Sequence, residues 1–147
     1  MNYKTYIHYG SPKFSKRKFK KIKNDWSKPN GGLWASPTNT DFGWRDWCES
    51  EQFRKCEAWN SFRFRLKEKA KVLTVTKVED VNDYIIKDQF CYSRFNANLD
   101  FEKMIKDGYD AIELIHGDNY RELHFSLFNS WDCDSICIFN PKIMEFV

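Results

Sequence analysis

Short runs of alternating apolar and polar residues, separated by turn residues, recur along the chain. In a β-strand successive side chains point to opposite faces, so such alternation, or a brief β-branched run between turns, predicts a strand. The turns at Gly10-Ser11-Pro12 and Gly31-Gly32 separate the first two of these runs. The predicted strands span residues 3–8, 33–36, 62–66, 72–76, 109–114, 123–127 and 136–139.

Helical patterns lie between the strands. Residues 38–41 offer several N-caps for a helix that runs to about Asn60, and a shorter helix is predicted over 79–89. A third helix over 99–106 ends at Gly108, directly before the strand at 109–114, while 91–97 has the pattern of a loop. Because helices and strands do not alternate regularly, we expect an α+β fold with six or seven short strands and two or three helices.

The composition indicates one globular domain over residues 1–147. Aromatic residues make up 18% of the chain, which is more large apolar surface than disordered proteins carry. No apolar run approaches the roughly 20 residues of a membrane helix, and no apolar signal core follows Met1, so we expect a cytoplasmic protein. The five cysteines show no spacing typical of a zinc site and are predicted to be reduced, mostly core thiols.

Basic charge is concentrated in one stretch, which we call the basic segment, Lys13 to Lys23. It holds seven basic residues and no acid, whereas the rest of the chain carries 17 basic and 21 acidic residues. With Phe14, Phe19 and Ile22 interspersed, it predicts a basic amphipathic helix or loop that meets a phosphate backbone or an acidic protein. The alternative is a solvated surface whose phenylalanines anchor in the core. Because the segment has no Trp or Tyr for base stacking, a protein partner is favoured over nucleic acid.

Two carboxylates, Asp132 and Asp134, stand just before the last apolar run. If the strand has already begun there, both side chains leave the same face and share one site. Like charges placed together at the mouth of a core strand cost stability unless one is protonated or a ligand uses them, so the pair is a functional candidate. The alternative is a polar turn after Asn129-Ser130.

Three short segments, in this order, resemble the motifs of the ADP-ribosyltransferase fold. In that family a first strand carries His or Arg before Gly-Ser or Gly-Thr, a second strand carries an aromatic or a Ser-containing motif and precedes a helix, and a catalytic acid stands immediately before a late strand. The corresponding segments are His8-Tyr9-Gly10-Ser11, Gly31-Gly32-Leu33-Trp34-Ala35-Ser36 and Asp132-Cys133-Asp134. The resemblance implies a split β-sheet core, in a small single-domain protein of bacterial or phage type.

The resemblance also implies a binding site for NAD. The first strand would supply His8 for the adenosine ribose, and the Gly10 backbone, followed by Ser11, would hold the nicotinamide carboxamide. Because Tyr9 stands between His8 and Gly10, either His8 or Tyr9 faces the cofactor. Trp34 would take the place of the aromatic residue that lines the nicotinamide side.

The resemblance also implies roles for four residues in the transfer reaction. Ser36 would orient the acid, Trp44 would stack on the nicotinamide ring, and Asp134 would hold the nicotinamide ribose as the catalytic acid. Asp132 resembles the first acid of the pair that prepares the acceptor. Independently of the resemblance, breaking the glycosidic bond of NAD builds positive charge on the ribose, and a carboxylate in place stabilises that charge.

The expected activity is therefore mono-ADP-ribosyl transfer from NAD to a macromolecule, with protein favoured as the target. One alternative is a non-catalytic module that docks nucleic acid or an acidic protein, and another is an NAD glycohydrolase. A third is an enzyme that removes a phosphate from RNA, which the acid pair disfavours because paired negative charges repel a phosphorylated ligand. The size and composition resemble those of intracellular effectors, including toxin or phage-borne members of the family.

Overall fold

The computed structural model describes residues 4–86 and 98–147. The described strands are β1 Thr5–Tyr9, β2 Leu33–Pro37, β3 Ser61–Leu66, β4 Val72–Val75, β5 Ile85–Ile86, β6 Asn98–Leu99, β7 Ala111–Leu114, β8 Ser135–Ile138 and β9 Met144–Phe146. The described α-helices are α1 Trp44–Glu51, α2 Phe101–Lys106 and α3 Tyr120–His124. The predicted α+β class is confirmed.

Seven of these strands form one mixed sheet in the order β4-β7-β8-β2-β1-β3-β9, and β5 pairs with β6 in a small second sheet. The β4–β7 pair is parallel, and every other described pair is antiparallel. Strands β8, β2 and β1 are consecutive neighbours in the middle of the large sheet. The three segments singled out in the sequence therefore lie side by side.

The large sheet has a hydrophobic cluster on each face. Cys137 of β8 packs in a cluster with Trp131, Leu114 and Val75, while its neighbours Ile136 and Ile138 pack in the other cluster with Tyr6 and Phe64. This follows from the strand period of two, since both faces of β8 are covered and its residues after Ser135 are apolar. Residues 131–134 lead directly into this buried strand.

The predicted helix to Asn60 is wrong in length. Helix α1 begins after Gly43, whose N–H donates to Oδ2 of Asp46 at 2.8 Å, and it ends at Glu51. Gln52 adopts a left-handed conformation with φ of 51°, which terminates the helix. Only a 3-10 turn, Ala58–Asn60, remains of the predicted C-terminal part.

The predicted strand at 123–127 is also wrong. Leu123 lies in α3, and Leu127 lies in the turns that follow it; both are buried. A spacing of four residues fits a helical face as well as an alternating strand, so the pattern did not discriminate. Phe125, which the strand prediction placed on the apolar face, is 62% exposed.

The remaining predictions hold in outline. Strands are observed within or across 3–8, 33–36, 62–66, 72–76, 109–114 and 136–139. Helix α2 begins at Phe101 because Leu99 pairs in β6, and Gly108 follows the helix with φ of +96°. The predicted helix over 79–89 is observed only as the 3-10 turns Val78–Tyr84, and the prediction is wrong at Ile85–Ile86, which form β5. Residues 87–89 and the predicted loop at 91–97 lie outside the described residues.

The basic segment is a loop with turns, the second of the two forms predicted. None of the helices in the described ranges combines the length and apolar character needed to cross a membrane.

Candidate active site

A cavity of about 280 Å³ opens beside the central strands β1, β2 and β8. Its walls combine aromatic rings with a few polar and charged side chains, the usual character of a small-molecule site. The lining residues are Ile7, His8, Tyr9, Lys28, Trp34, Ala35, Ser36, Trp44, Arg54, Trp131, Asp132, Cys133 and Ser135. The cavity thus gathers residues from all three sequence segments that resemble ADP-ribosyltransferase motifs.

Tryptophans form much of the cavity wall. The ring of Trp34 meets Trp131 edge to face, with centroids 4.9 Å apart. Trp131 is 1% exposed, and its Nε1 donates to the carbonyl of Ser27 at 2.8 Å, which fixes the indole. Lys28 Nζ lies 5.8 Å from the centre of the Trp34 ring. These contacts hold the two indoles against each other in the cavity wall.

Ser36 links the cavity to the start of helix α1. Its Oγ donates to the carbonyl of Asp134 at 2.8 Å and accepts from the backbone N–H of Trp44 at 2.9 Å. The first N–H groups of a helix have no partner within the helix, so this hydroxyl satisfies one of them. The bond holds Trp44 at the cavity. Ser36 therefore orients the main chain of the acid segment, not a carboxylate as the resemblance implied.

His8 and Tyr9 both line the cavity but face opposite sides of the sheet. Ile7 pairs with Ser36 across the strands, so Tyr9, two residues on, shares the face of Ser36 and Trp34. His8 pairs with Phe62 instead, and their rings are 5.0 Å apart. Of the two alternatives left open by the sequence, the register favours Tyr9 as the residue on the tryptophan side.

The imidazole of His8 hydrogen-bonds to the main chain of β2. Its Nδ1 donates to the carbonyl of Trp34 at 2.6 Å, because a carbonyl only accepts. Burial lowers the pKa of His8 below its ordinary value, and the bond to Trp34 opposes that shift only in part. The ring is neutral at pH 7, with Nε2 left as an acceptor.

Gly10 and Ser11 do not line the cavity. Gly10 has φ of +114° and donates its N–H to the carbonyl of Asn60 at 2.8 Å, and the hydroxyl of Ser11 donates to the carbonyl of Lys13 at 2.7 Å. Both residues stabilise the turn that follows β1. The contact with the nicotinamide carboxamide that the resemblance implied for Gly10 stays a prediction.

The two acids do not share one site, contrary to the expectation from their spacing. Strand β8 begins only at Ser135, and the chain bends at Cys133 and Asp134, so the period of two does not extend to Asp132. Asp132 lines the cavity, where it makes no hydrogen bond or ion pair with the described residues. Asp134 lines a different pocket.

Asp134 has its hydrogen-bonding capacity largely filled. Oδ1 accepts from the backbone N–H of His116 at 2.9 Å and from His116 Nδ1 at 3.0 Å, and Oδ2 accepts from Thr40 Oγ1 at 2.9 Å. Burial alone would raise the pKa of Asp134, but the bonds from His116 and Thr40 outweigh it and hold the pKa below its usual value. Asp134 is ionised, and its hydrogen bonds connect the loop after β2, at Thr40, to the turn after β7, at His116.

The pocket at Asp134 has a volume of about 370 Å³ and an aromatic and acidic lining. The imidazole of His116 lies against the rings of Phe42 and Tyr120, at centroid distances of 5.1 and 5.6 Å. The sequence pattern assigned His116 no chemistry, since a lone His in a turn carries no signal. Its partner, 18 residues away, becomes apparent only in three dimensions.

Two cations at the cavity were also missed by the sequence reasoning. Lys28 and Arg54 line it, and they belong to the turn before β2 and the extended stretch after α1. Neither stands in a motif, so nothing in the local pattern distinguished them from other surface cations. Among the described residues neither makes an ion pair, although Arg54 stacks on Phe53 with its Cζ 5.1 Å from the ring centre.

The described cysteines are free thiols. Burial raises the pKa of Cys137 and, with contributions from neighbouring Cys56, raises that of Cys48 to about 12. Cys133 lines the cavity, and burial raises its pKa as well. Thiols with raised pKa values are poor nucleophiles at neutral pH.

No family model, curated protein or solved structure matches this chain.

Proposed function

We propose that the protein is an NAD-dependent mono-ADP-ribosyltransferase. The observation that carries the proposal is the convergence, at one cavity, of His8 and Tyr9, Trp34 and Ser36, and Asp132. These residues come from three distant segments that were selected by their resemblance to the family.

The cavity suits the nicotinamide end of NAD. Trp34, Trp44 and Trp131 offer flat apolar surfaces for a heteroaromatic ring, and such rings stack favourably on indoles. Its volume of about 280 Å³ is near the lower limit of small-molecule sites, roughly 300 Å³. We therefore expect the cavity to enclose the nicotinamide and its ribose, with the rest of the dinucleotide at the mouth.

Lys28 and Arg54 supply the positive charge that a pyrophosphate needs. Charge-assisted hydrogen bonds from cations to phosphate oxygens are stronger than neutral ones, and a guanidinium can bind two oxygens at once. With one acid and two cations among the charged lining residues, the cavity favours an anionic ligand.

Asp132 is the acid in position to assist the reaction. In the proposed step the bond between the ribose C1 and the nicotinamide nitrogen breaks, and nicotinamide leaves with the bonding electron pair. The carboxylate of Asp132 stabilises the resulting oxocarbenium-like charge, and an oxygen or nitrogen of the acceptor then forms the new bond to the ribose C1 and releases its proton to solvent water. Asp134 keeps the loop geometry through His116 and Thr40. The proposal thus gives Asp132 the catalytic role that the resemblance gave to Asp134, and leaves Asp134 a structural role.

An NAD glycohydrolase is the second candidate, since water would replace the macromolecular acceptor in the same step. Among the described residues the carboxylate of Asp132 has no hydrogen-bond or ion-pair partner and lines the cavity, so it is available to a ligand, as both activities require.

The test uses NAD labelled in its adenylate phosphate. The pure protein is incubated with labelled NAD, with and without a cell lysate, and released nicotinamide and macromolecule-bound label are measured separately. Label on a macromolecule supports the transferase, and nicotinamide release without bound label supports the glycohydrolase. Absence of both, together with no NAD binding by calorimetry, overturns the proposal.

A further inference from the structure

The cations of the basic segment are all exposed, and none has an ion-pair partner within residues 4–86 and 98–147. The seven side chains are those of Lys13, Lys16, Arg17, Lys18, Lys20, Lys21 and Lys23. None makes an ion pair or a cation–π contact with the described residues. Elsewhere, cations such as Lys4 and Arg65 are paired with Glu113 and Glu145. Like charges crowded without partners repel one another, which costs free energy unless an anion is bound.

The basic segment is nevertheless fixed to the fold. Ile22 is 2% exposed in the core, and Phe14 packs against Phe62 and stacks on Phe146 at 5.7 Å. The carbonyl of Lys20 also accepts from the N–H of Gly32 at 2.9 Å. Because these anchors hold the backbone, a ligand does not have to order the loop, and less binding energy is lost.

Both ends of the basic segment lead to the cavity. It begins four residues after Tyr9 and ends five residues before Lys28, and both of these residues line the cavity. A bridge between Lys23 and Asn30 closes the loop at its far end. A polyanion bound along the segment would therefore lie beside the cavity mouth.

Exposed aromatic rings flank the basic segment, although none lies within it. Trp26 is 52% exposed just after its end. Trp59 is 75% exposed, and the next residue, Asn60, accepts a hydrogen bond from Gly10 just before the segment begins. At the cavity itself, Trp47 stacks on Trp44 at 5.2 Å. Exposed rings beside unpaired cations are the composition of surfaces that bind single-stranded nucleic acid.

We propose that the basic segment, with Trp26 and Trp59, is a binding surface for single-stranded nucleic acid. Cations contact phosphates, and the exposed indoles stack on bases, which a duplex keeps inside its own stack. A single strand would use both features together, since its phosphates meet the cations and its unstacked bases meet the indoles. The sequence favoured a protein because the segment lacks Trp and Tyr; the fold supplies those rings from outside it.

The test measures binding of a fluorescent single-stranded oligonucleotide of about 20 residues by anisotropy, without NAD, at salt from about 50 to 200 mM. The first variant replaces Lys16, Lys18, Lys20 and Lys21 with Gln. A matched control replaces the exposed Lys69, Lys106, Arg121 and Lys142 with Gln, which lowers the net charge equally. We expect the first variant to bind at least ~10-fold more weakly, with a salt slope smaller by up to about 3 units, and the control to bind as the wild type does.

A second pair of variants tests stacking. Trp26→Ala and Trp59→Ala should each weaken single-strand binding by about 5-fold or more, with little change in the salt slope. Circular dichroism verifies folding, which is expected because both rings are largely exposed. Equal loss in the control variant, equal affinity for a duplex, or equal affinity for poly-glutamate with no effect of the tryptophans would overturn the proposal, the last in favour of an acidic protein.

Whether the bound strand is also the acceptor rests on the proposed function. Adding labelled NAD to the wild type and oligonucleotide tests this separately, and we expect label on the oligonucleotide. Nicotinamide release with label only on protein would contradict nucleic acid as the acceptor while leaving the transferase intact. Binding without any reaction of NAD would overturn the transferase and leave the binding surface.

Discussion

His116 donates two hydrogen bonds to one oxygen of Asp134, from its backbone N–H at 2.9 Å and from Nδ1 at 3.0 Å. Thr40 donates to the other oxygen at 2.9 Å. The carboxylate therefore ties the loop after β2 to the turn after β7. Its role follows from these three donors, since a carboxylate so occupied has little capacity left for a ligand.

Asp134→Asn is expected to lower the free energy of unfolding by about 1–3 kcal/mol at pH 7, because an amide replaces a charged acceptor and cannot accept at both positions. Urea unfolding measures the difference. Asp41→Asn is the matched control, since Asp41 lines the same pocket and is exposed. Equal effects in both variants would show that the hydrogen bonds are not the cause.

The hydrogen bonds to Asp134 also predict how stability depends on pH. The hydrogen bonds hold the pKa of Asp134 below its ordinary value, so the unfolded chain takes up the proton first as pH falls. The stabilisation is thus present above about pH 3.9 and is lost as pH falls through the lower pKa of the folded state. The stability gap between wild type and Asp134→Asn should narrow on acidification, and a gap that widens would refute the assignment.

Asp132→Asn should reduce nicotinamide release by roughly 100-fold or more, because it removes a preorganised charge from the transition state. Its stability should change by less than about 0.5 kcal/mol, since Asp132 has no hydrogen bond or ion pair in the described structure to lose. Unchanged release in this variant, with loss in folded Asp134→Asn, would restore the assignment made from sequence.

Arg54→Gln should weaken NAD binding by about 5-fold or more while leaving nicotinamide riboside binding unchanged, because only NAD carries the pyrophosphate. Calorimetry with NAD and with nicotinamide riboside measures the two affinities in each protein. Lys69→Gln provides a control for the change in net charge. Parallel losses for both ligands would mean that Arg54 shapes the cavity instead of binding phosphate.

Tyr9→Ala should weaken NAD binding by about 10-fold, since Tyr9 shares the sheet face of Trp34 and Ser36. His8→Ala should mainly lower stability, through loss of the bond from Nδ1 to the carbonyl of Trp34. Calorimetry and urea unfolding on both variants give the comparison. The reverse order of NAD affinities would place His8 on the ligand.

His8 also predicts a pH effect nearer neutrality. Burial lowers the pKa of His8 in the folded state. As pH decreases below about 6.5, the unfolded chain therefore takes up the proton on His8 first, and the free energy of unfolding decreases. His8→Gln should reduce this dependence, and the difference between the two proteins isolates His8 from the other histidines. Identical pH profiles of unfolding would remove His8 from the explanation.

Local patterns determined most of the strands and the α+β class. Alternation at 62–66 and the β-branched run at 72–76 each became a strand because burial on a pleated surface depends on neighbours two residues apart, which a sequence displays directly. The strand predicted at 123–127 was wrong, because Leu123 and Leu127, four residues apart, share a face in a helix as well as in a strand.

Which of the two acids lines the cavity was decided only by the tertiary structure. The argument from spacing holds inside a strand, but β8 starts at Ser135, and the bend before it sends Asp132 to the cavity and Asp134 to His116. That partner is 18 residues away, and no local pattern encodes it.

The surroundings of the site likewise required the fold. Strand parity predicted that His8 and Tyr9 face opposite sides, but the pairing of Ile7 with Ser36 decided which side holds the tryptophans. Lys28 and Arg54 reach the cavity from separate loops, and Trp59 flanks the basic segment through the bond of Gly10 to Asn60. Periodicity reports which residues share a face of one element, whereas contacts between elements depend on how the chain packs.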